Sequence, residues 1–333
     1  GEGFYARAKS FDYVHGYATA GDGDVALLYD NPESKDTFEA SPEVARFLGE
    51  GFYNRVKSFD YVHAYATEGN GDVALLHDDP NAADTFDAGP DAARLVGEGF
   101  YNRAVSFDYV HAYATRGGKD VALLHDSPDT VDTFEATPTM ARLYGSGFYN
   151  RVKSFDYVHA YATPGGKDVA RLYDDAATAD TFEATPTMAR LYGSNFYNRA
   201  LSFRYVNAYA TPGGNDVAKL YDSQGKDTLV LTPQAARLYN GIFDNQAENF
   251  RNTYAYSTAG GEDDSAFLYD SAIEELPDHL EADAGWARLS NELLGYAHWL
   301  TEFEEVTATS SNDSDTKDVN PDALDFILHD EGW

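Results

Sequence analysis

One 48-residue phrase recurs throughout this chain: GEGFYARAKSFDYVHGYAT begins at Gly1 and returns as GEGFYNRVKSFDYVHAYAT at Gly49. Further copies start at Gly97, Gly145 and Gly193, a copy one residue out of step starts at Asn240, and a degraded one lies near Ser290. Seven copies of 48 make 336 residues, against the 333 present. A period of this kind dictates an array of one supersecondary unit, stacked or closed into a ring. It also places function on repeated surfaces in preference to one grafted active site.

In the fourth copy, Tyr157 to Thr163 and Asp168 to Asp174 alternate like strands about the turn Pro164-Gly165-Gly166. Thr181 to Thr185 and Met188 to Tyr192 continue the pattern. Tyrosine, valine, threonine and phenylalanine fill the runs, with proline and glycine between them, so the chain reads as all-β. The phrase Ala-Arg-Leu-Tyr starts at Ala141, Ala170 and Ala189, and its spacings of 29 and 19 residues divide the copy into two similar halves. The reading is a parallel β-solenoid of about seven repeats with two coils each, roughly thirteen layers, like strand stacked on like at ~4.8 Å. The alternative is a seven-bladed β-propeller with four strands per copy.

Decay of the motif toward one end favours a stack with an atypical cap over a closed ring. The array spans 1–289, and 290–333 reads as a degenerate last repeat and C-terminal helical cap. Ser290 serves there as N-cap, with Leu293, Ala297, Leu300 and Phe303 on one helix face. Trp286, Trp299 and Trp333 all lie at this end, and Trp299 and Trp333 are candidate assembly residues. The chain starts in mid-pattern without a methionine, as expected of a processed or excised segment. Its N-terminal edge then calls for a cover, either upstream repeats or another copy.

Aspartate and glutamate outnumber lysine and arginine 56 to 24, a net charge of −32. That balance argues against a nucleic-acid partner and suits high salt or bound divalent cations. No cysteine is present, which removes disulfide and thiolate chemistry. No run approaches the ~18 apolar residues of a membrane span, so no membrane insertion is expected.

The acid is ordered in rows. Asp24, Asp72, Asp120 and Asp168 follow the glycine turn, Asp30, Asp78, Asp126 and Asp174 end the next strand, and Asp36, Asp84, Asp132 and Asp180 form a third row. Stacked carboxylates repel unless cations, amides or arginines compensate, and calcium accepts six to eight such oxygens, so calcium is the candidate cofactor. The competing reading is turn capping by side chain to backbone hydrogen bonds, with Arg55, Arg103, Arg151 and Arg199 as counter-charge. Gly21-Asp22-Gly23-Asp24 echoes calcium-binding glycine-aspartate repeats without their nine-residue period.

Strand alternation puts Val62, Ala64 and Ala66 on one face and Tyr61, His63 and Tyr65 on the other. Tyr61, Tyr109 and Tyr157 then form one row, and Tyr65, Tyr113 and Tyr161 another, able to stack on sugar rings or on a neighbouring chain. The competing reading is packing within the protein. His15, His63, His111 and His159 supply one imidazole per copy with no second ligand type nearby, a poor metal set.

The run Ala218-Lys219-Leu220-Tyr221-Asp222-Ser223-Gln224-Gly225-Lys226-Asp227-Thr228, followed by proline and another Ala-Arg-Leu-Tyr, resembles tandem repeats of large secreted bacterial proteins. The resemblance covers about residues 1 to 270 and implies an exported, cell-surface or matrix role beside parallel β-helix modules, with no site residues attached. Together these readings predict a non-catalytic extracellular structural protein that joins head to tail with itself. A polysaccharide-binding module is the second reading. A polysaccharide-cleaving enzyme with paired carboxylates is the third.

Overall fold

Five strands per copy, and not four, build the computed structural model, which describes residues 7, 9–19, 23–115, 118–212, 214–260 and 263–333. Counted from the second copy they are Tyr61–Tyr65, Val73–His77, Thr85–Ala88, Ala92–Gly97 and Phe100–Val105, here called the first to fifth strands. All elements among the described residues are strands, 33 of them, in sheets of 17 and 16. The result is a parallel β-solenoid of about eight turns, and the propeller reading falls.

Two compact units make up the chain: Gly1–Asp132 with Thr139–Ala160, and Thr133–Pro138 with Tyr161–Trp333. In the first, Tyr61 pairs in parallel with Val25, an advance of 61 − 25 = 36 residues. Tyr101 pairs with Tyr61, an advance of 40. A turn of the solenoid therefore takes 36 to 40 residues, so the expected two coils per 48-residue copy are wrong. Like strands do not stack on like either. A first strand rests on a second, a fifth on a first, and a second on a third. The third, fourth and fifth strands form an antiparallel meander that fills the difference between turn and copy.

Successive strands also change sheet. Tyr61–Tyr65 lies in the 16-stranded sheet, Val73–His77 in the 17-stranded one, and the meander in the 16-stranded one again. The next first strand, Tyr109–Tyr113, stacks on Val73–His77, so the motif has moved to the opposite sheet.

The second unit follows the same rules, with Tyr205 on Val169 and Val217 on Thr181, each 36 residues on. Its end corrects the helical cap. Trp286–Asn291 and Tyr296–Thr301 are an antiparallel pair, and strands continue to Ile327–Glu331. Asn291 Oδ1 accepts the Leu293 and Leu294 N–H groups at 3.0 and 2.9 Å, and Gly295 takes a φ of 75°. That chemistry makes a tight turn where the apolar spacing predicts a helix.

Alternation sets the core. Val62 and Ala64 are buried while Tyr61 is exposed, as read from sequence. Phe38, Phe47 and Phe107 mesh with ring centroids 5.6 to 6.1 Å apart. Each such fully buried ring contributes about 1.5–3 kcal/mol. Ser58, Ser106, Ser154 and Ser202 adopt φ of 59 to 64°, and this left-handed step sends the following phenylalanine inward, Phe107, Phe155 and Phe203 being buried.

One polar device joins the two sheets. The second or third residue of the fifth strand is a buried asparagine whose Nδ2 donates to a carbonyl in the turn after a third strand of the other sheet. Asn102 reaches the Ser41 oxygen at 3.1 Å and Asn150 the Gly89 oxygen at 2.9 Å, and in the second unit Asn198 reaches the Thr137 oxygen and Asn245 that of Thr185. The bond satisfies the asparagine amide, which is buried in each case.

Candidate functional site

The acidic rows meet at the turns flanking the second strand. Asp72 precedes that strand, Asp78 follows it, and Asp84 immediately precedes the third. Each is held by backbone amides. The Asp36 N–H donates to Asp72 Oδ1 at 2.6 Å and that of Asp84 to Asp120 Oδ1 at 2.8 Å, both 36 residues apart and so one turn away. Asp30 Oδ2 accepts the Thr67 N–H, Asp78 Oδ2 that of Thr115 and Asp174 Oδ2 that of Thr211. Within their own loops, Asp36 accepts Asn31 N–H, Asp84 that of Asp79, Asp132 that of Ser127 and Asp180 that of Asp175, at 2.5 to 2.7 Å. Asp24 is half-buried and donates its own N–H to Asp60. Asp126 is half-buried and Asp168 buried. Gly21 and Asp22 of the glycine-aspartate run lie outside the described residues.

Because unlike strands stack, unlike aspartates converge. One carboxylate oxygen each from Asp78, Asp84 and Asp120 lies within 4.8 Å of the others, and Asp174, Asp180 and Asp216 form the same trio in the second unit. Burial pushes Asp84 up to about 6, and the charges of Asp120 and Asp78 add to the shift. Asp72, Asp120, Asp180 and Asp216 are raised for the same leading reason.

A fourth acidic row escaped the sequence reading. Asp60 Oδ2 accepts the Gly23 and Asp24 N–H groups, Asp108 accepts those of Gly69, Gly71 and Asp72, and Asp156 those of Lys119 and Asp120. Its signal was present as the Ser-Phe-Asp that precedes the first strand in each of the first four copies.

Two of the arginines expected as counter-charge for these turns meet phenols instead. Arg55 lies 3.5 Å from the Tyr17 hydroxyl, and Arg151 is 2.9 Å from that of Tyr113. Arg94 and Arg190 pair with Asp87 and Glu183 across the meander.

Tyr61, Tyr109 and Tyr157 are 44%, 43% and 41% exposed. Tyr65 stacks on Tyr29 at 5.2 Å and Tyr113 on His77 at 5.1 Å, and Tyr161 is half-buried. The rows thus mix tyrosine positions, and neighbouring copies present them on opposite sheets. His63 and His111 lie against Tyr101 and Tyr149. Burial, then Arg151, lowers His111 to about 4. Trp299 stacks on Tyr254 at 4.8 Å with Arg288 over its ring, and Trp333 is half-buried.

Comparison with known proteins gives no match to a family, a curated protein or a solved structure.

Proposed function

We propose that this chain is a non-catalytic structural segment of an extracellular fibre or matrix, extended by adding further copies of the same repeat or of the same molecule head to tail. One observation carries the reading: side chains that elsewhere do chemistry are engaged here in holding one turn to the next. Carboxylates accept amides one turn away, arginines meet acids or phenols, and tyrosines stack on one another. A stack in which the same kinds of strand pairing recur from copy to copy accepts a further repeat without a new kind of contact. The secreted-repeat resemblance points the same way.

Light scattering and electron microscopy of the purified protein, with and without calcium, test it. Particles that lengthen with concentration are expected. A strictly monomeric particle under every salt and calcium condition would sink the head-to-tail part.

The exposure of Tyr61, Tyr109 and Tyr157 favours a second reading, polysaccharide binding on the tyrosine faces. Titration with a panel of neutral glycans should then quench tyrosine emission, and an unchanged spectrum in the Tyr61→Ala and wild-type proteins alike rules it out.

A further inference from the structure

The third-row aspartates face one problem in every copy and solve it in all but one. Their Oδ1 atoms are buried beside a glycine, so close that a Cβ on Gly49, Gly97, Gly145 or Gly193 would collide with them. Each needs a donor at that point. Ser34 Oγ supplies it to Asp36 at 2.8 Å, Thr130 Oγ1 to Asp132 at 2.8 Å and Thr178 Oγ1 to Asp180 at 2.9 Å. In the fifth copy Asn240 replaces the glycine and its Nδ2 reaches Asp227 Oδ1 at 2.7 Å. Later still the Tyr296 hydroxyl donates to Asp278.

The second copy has Ala82 where the first, third and fourth carry serine or threonine. Asp84 is 1% exposed and its Oδ1 has no partner, and Asp120, at 0%, leaves Oδ2 without one. A Cβ on Gly118 would meet both Asp120 Oδ2 and the Ala82 carbonyl, so the second unpaired oxygen faces the same loop. Asp78 completes the group, its carboxylate within the 4.8 Å set.

We propose that Asp78, Asp84 and Asp120 hold one divalent cation of the hard, oxygen-seeking class, calcium first, in the place of the hydroxyl that Ala82 lacks. Three buried carboxylates carry a formal charge of −3, and an unpaired buried carboxylate oxygen is strongly unfavourable. Among the described residues, the donors to the three carboxylates include the amides of Asp79, Asp84 and Thr115 and the Thr115 hydroxyl. Oxygen ligands of this kind suit calcium or magnesium, and the further oxygens calcium takes come readily from water or a carbonyl such as that of Ala82.

The experiment uses the full chain, stripped with chelator and titrated calorimetrically with calcium chloride, then with magnesium chloride. Ala82→Thr restores the missing hydroxyl while keeping all three carboxylates, and threonine at that position already folds in the third and fourth copies. Wild-type protein should bind one more equivalent of calcium than Ala82→Thr. Thr178→Ala, which unpairs Asp180 in the trio Asp174, Asp180 and Asp216, should gain one. No saturable uptake by the wild type up to about 1 mM free calcium overturns the proposal. So does a stoichiometry that Ala82→Thr leaves unchanged, because a shared proton then satisfies Asp84 and Asp120.

Discussion

Replacing Asn150 with alanine isolates the device that ties the two sheets together. Asn150 is 2% exposed, and its Nδ2 donates to the Gly89 carbonyl of the opposite sheet at 2.9 Å. The variant leaves that carbonyl unpaired, which costs about 1–3 kcal/mol. Losing the amide group also opens a small void, so about 2–3 kcal/mol in all is expected. Asn150→Leu keeps the volume and separates the two parts: it should lose the hydrogen-bond share alone. Urea unfolding followed by circular dichroism gives the global change.

Repeat arrays need not unfold in one step, so hydrogen exchange adds a local readout. The Gly89 N–H donates to the Ala92 oxygen at 3.0 Å, within the turn that Asn150 anchors. A loss of 2 kcal/mol there corresponds to about 30-fold faster exchange. If Asn150→Ala keeps both its unfolding free energy within about 0.5 kcal/mol of wild type and its Gly89 protection, the inter-sheet bond is not a stabilising element.

Three other outcomes are expected. His298, in the second unit, is 1% exposed and burial lowers it to about 4, so between pH 6.5 and 4 the unfolded chain binds the extra proton and stability falls with pH, by up to about 3 kcal/mol. His298→Asn should remove that loss in urea titrations at pH 7 and pH 4.5, whereas the raised aspartates, protonating in the folded state, act in the opposite sense in both proteins; an equal acid-side change in the two would refute it. Ser154 has a φ of 64°, so Ser154→Gly should hold or raise the melting temperature, while Ser154→Val should lower stability by about 1–2 kcal/mol, and a valine variant as stable as wild type counts against the strain. Phe134 is fully buried with its ring 5.9 Å from that of Phe203, and Phe134→Ala should cost about 3–5 kcal/mol in chemical denaturation, a loss under 1 kcal/mol being the contrary result.

The strands that alternate cleanly were legible in the sequence. Tyr157–Tyr161, Val169–Tyr173, Thr181–Ala184 and Met188–Tyr192 stand within a residue or two of where the pattern puts them. The fifth strand was not, because Phe148–Lys153 carries Asn150 on its buried face and so breaks the apolar alternation. Missing it hid the meander, and without the meander the turn length cannot be worked out. Which strand lies beside which is a non-local matter: Val25 and Tyr61, 36 positions apart, are in register because of the chain between them, and neither strand's own sequence encodes that. At the acidic turns the residue types were visible and their capping role was among the readings. Their convergence from three rows into one trio depends on the same hidden register, whereas the unpaired Asp84 oxygen follows from Ala82, a local difference between copies.

The change of sheet from copy to copy sets a rule for how such an array can grow. Tyr61 and Tyr109 hold equivalent places in adjacent copies, yet they project from opposite sheets. Deleting or duplicating a single 48-residue copy within a stack would therefore turn every side chain beyond the change to the other side of the molecule. Only an even number of copies keeps them where they were, so the heritable unit of a surface pattern on this scaffold is a pair of copies, although the unit visible in the sequence is one.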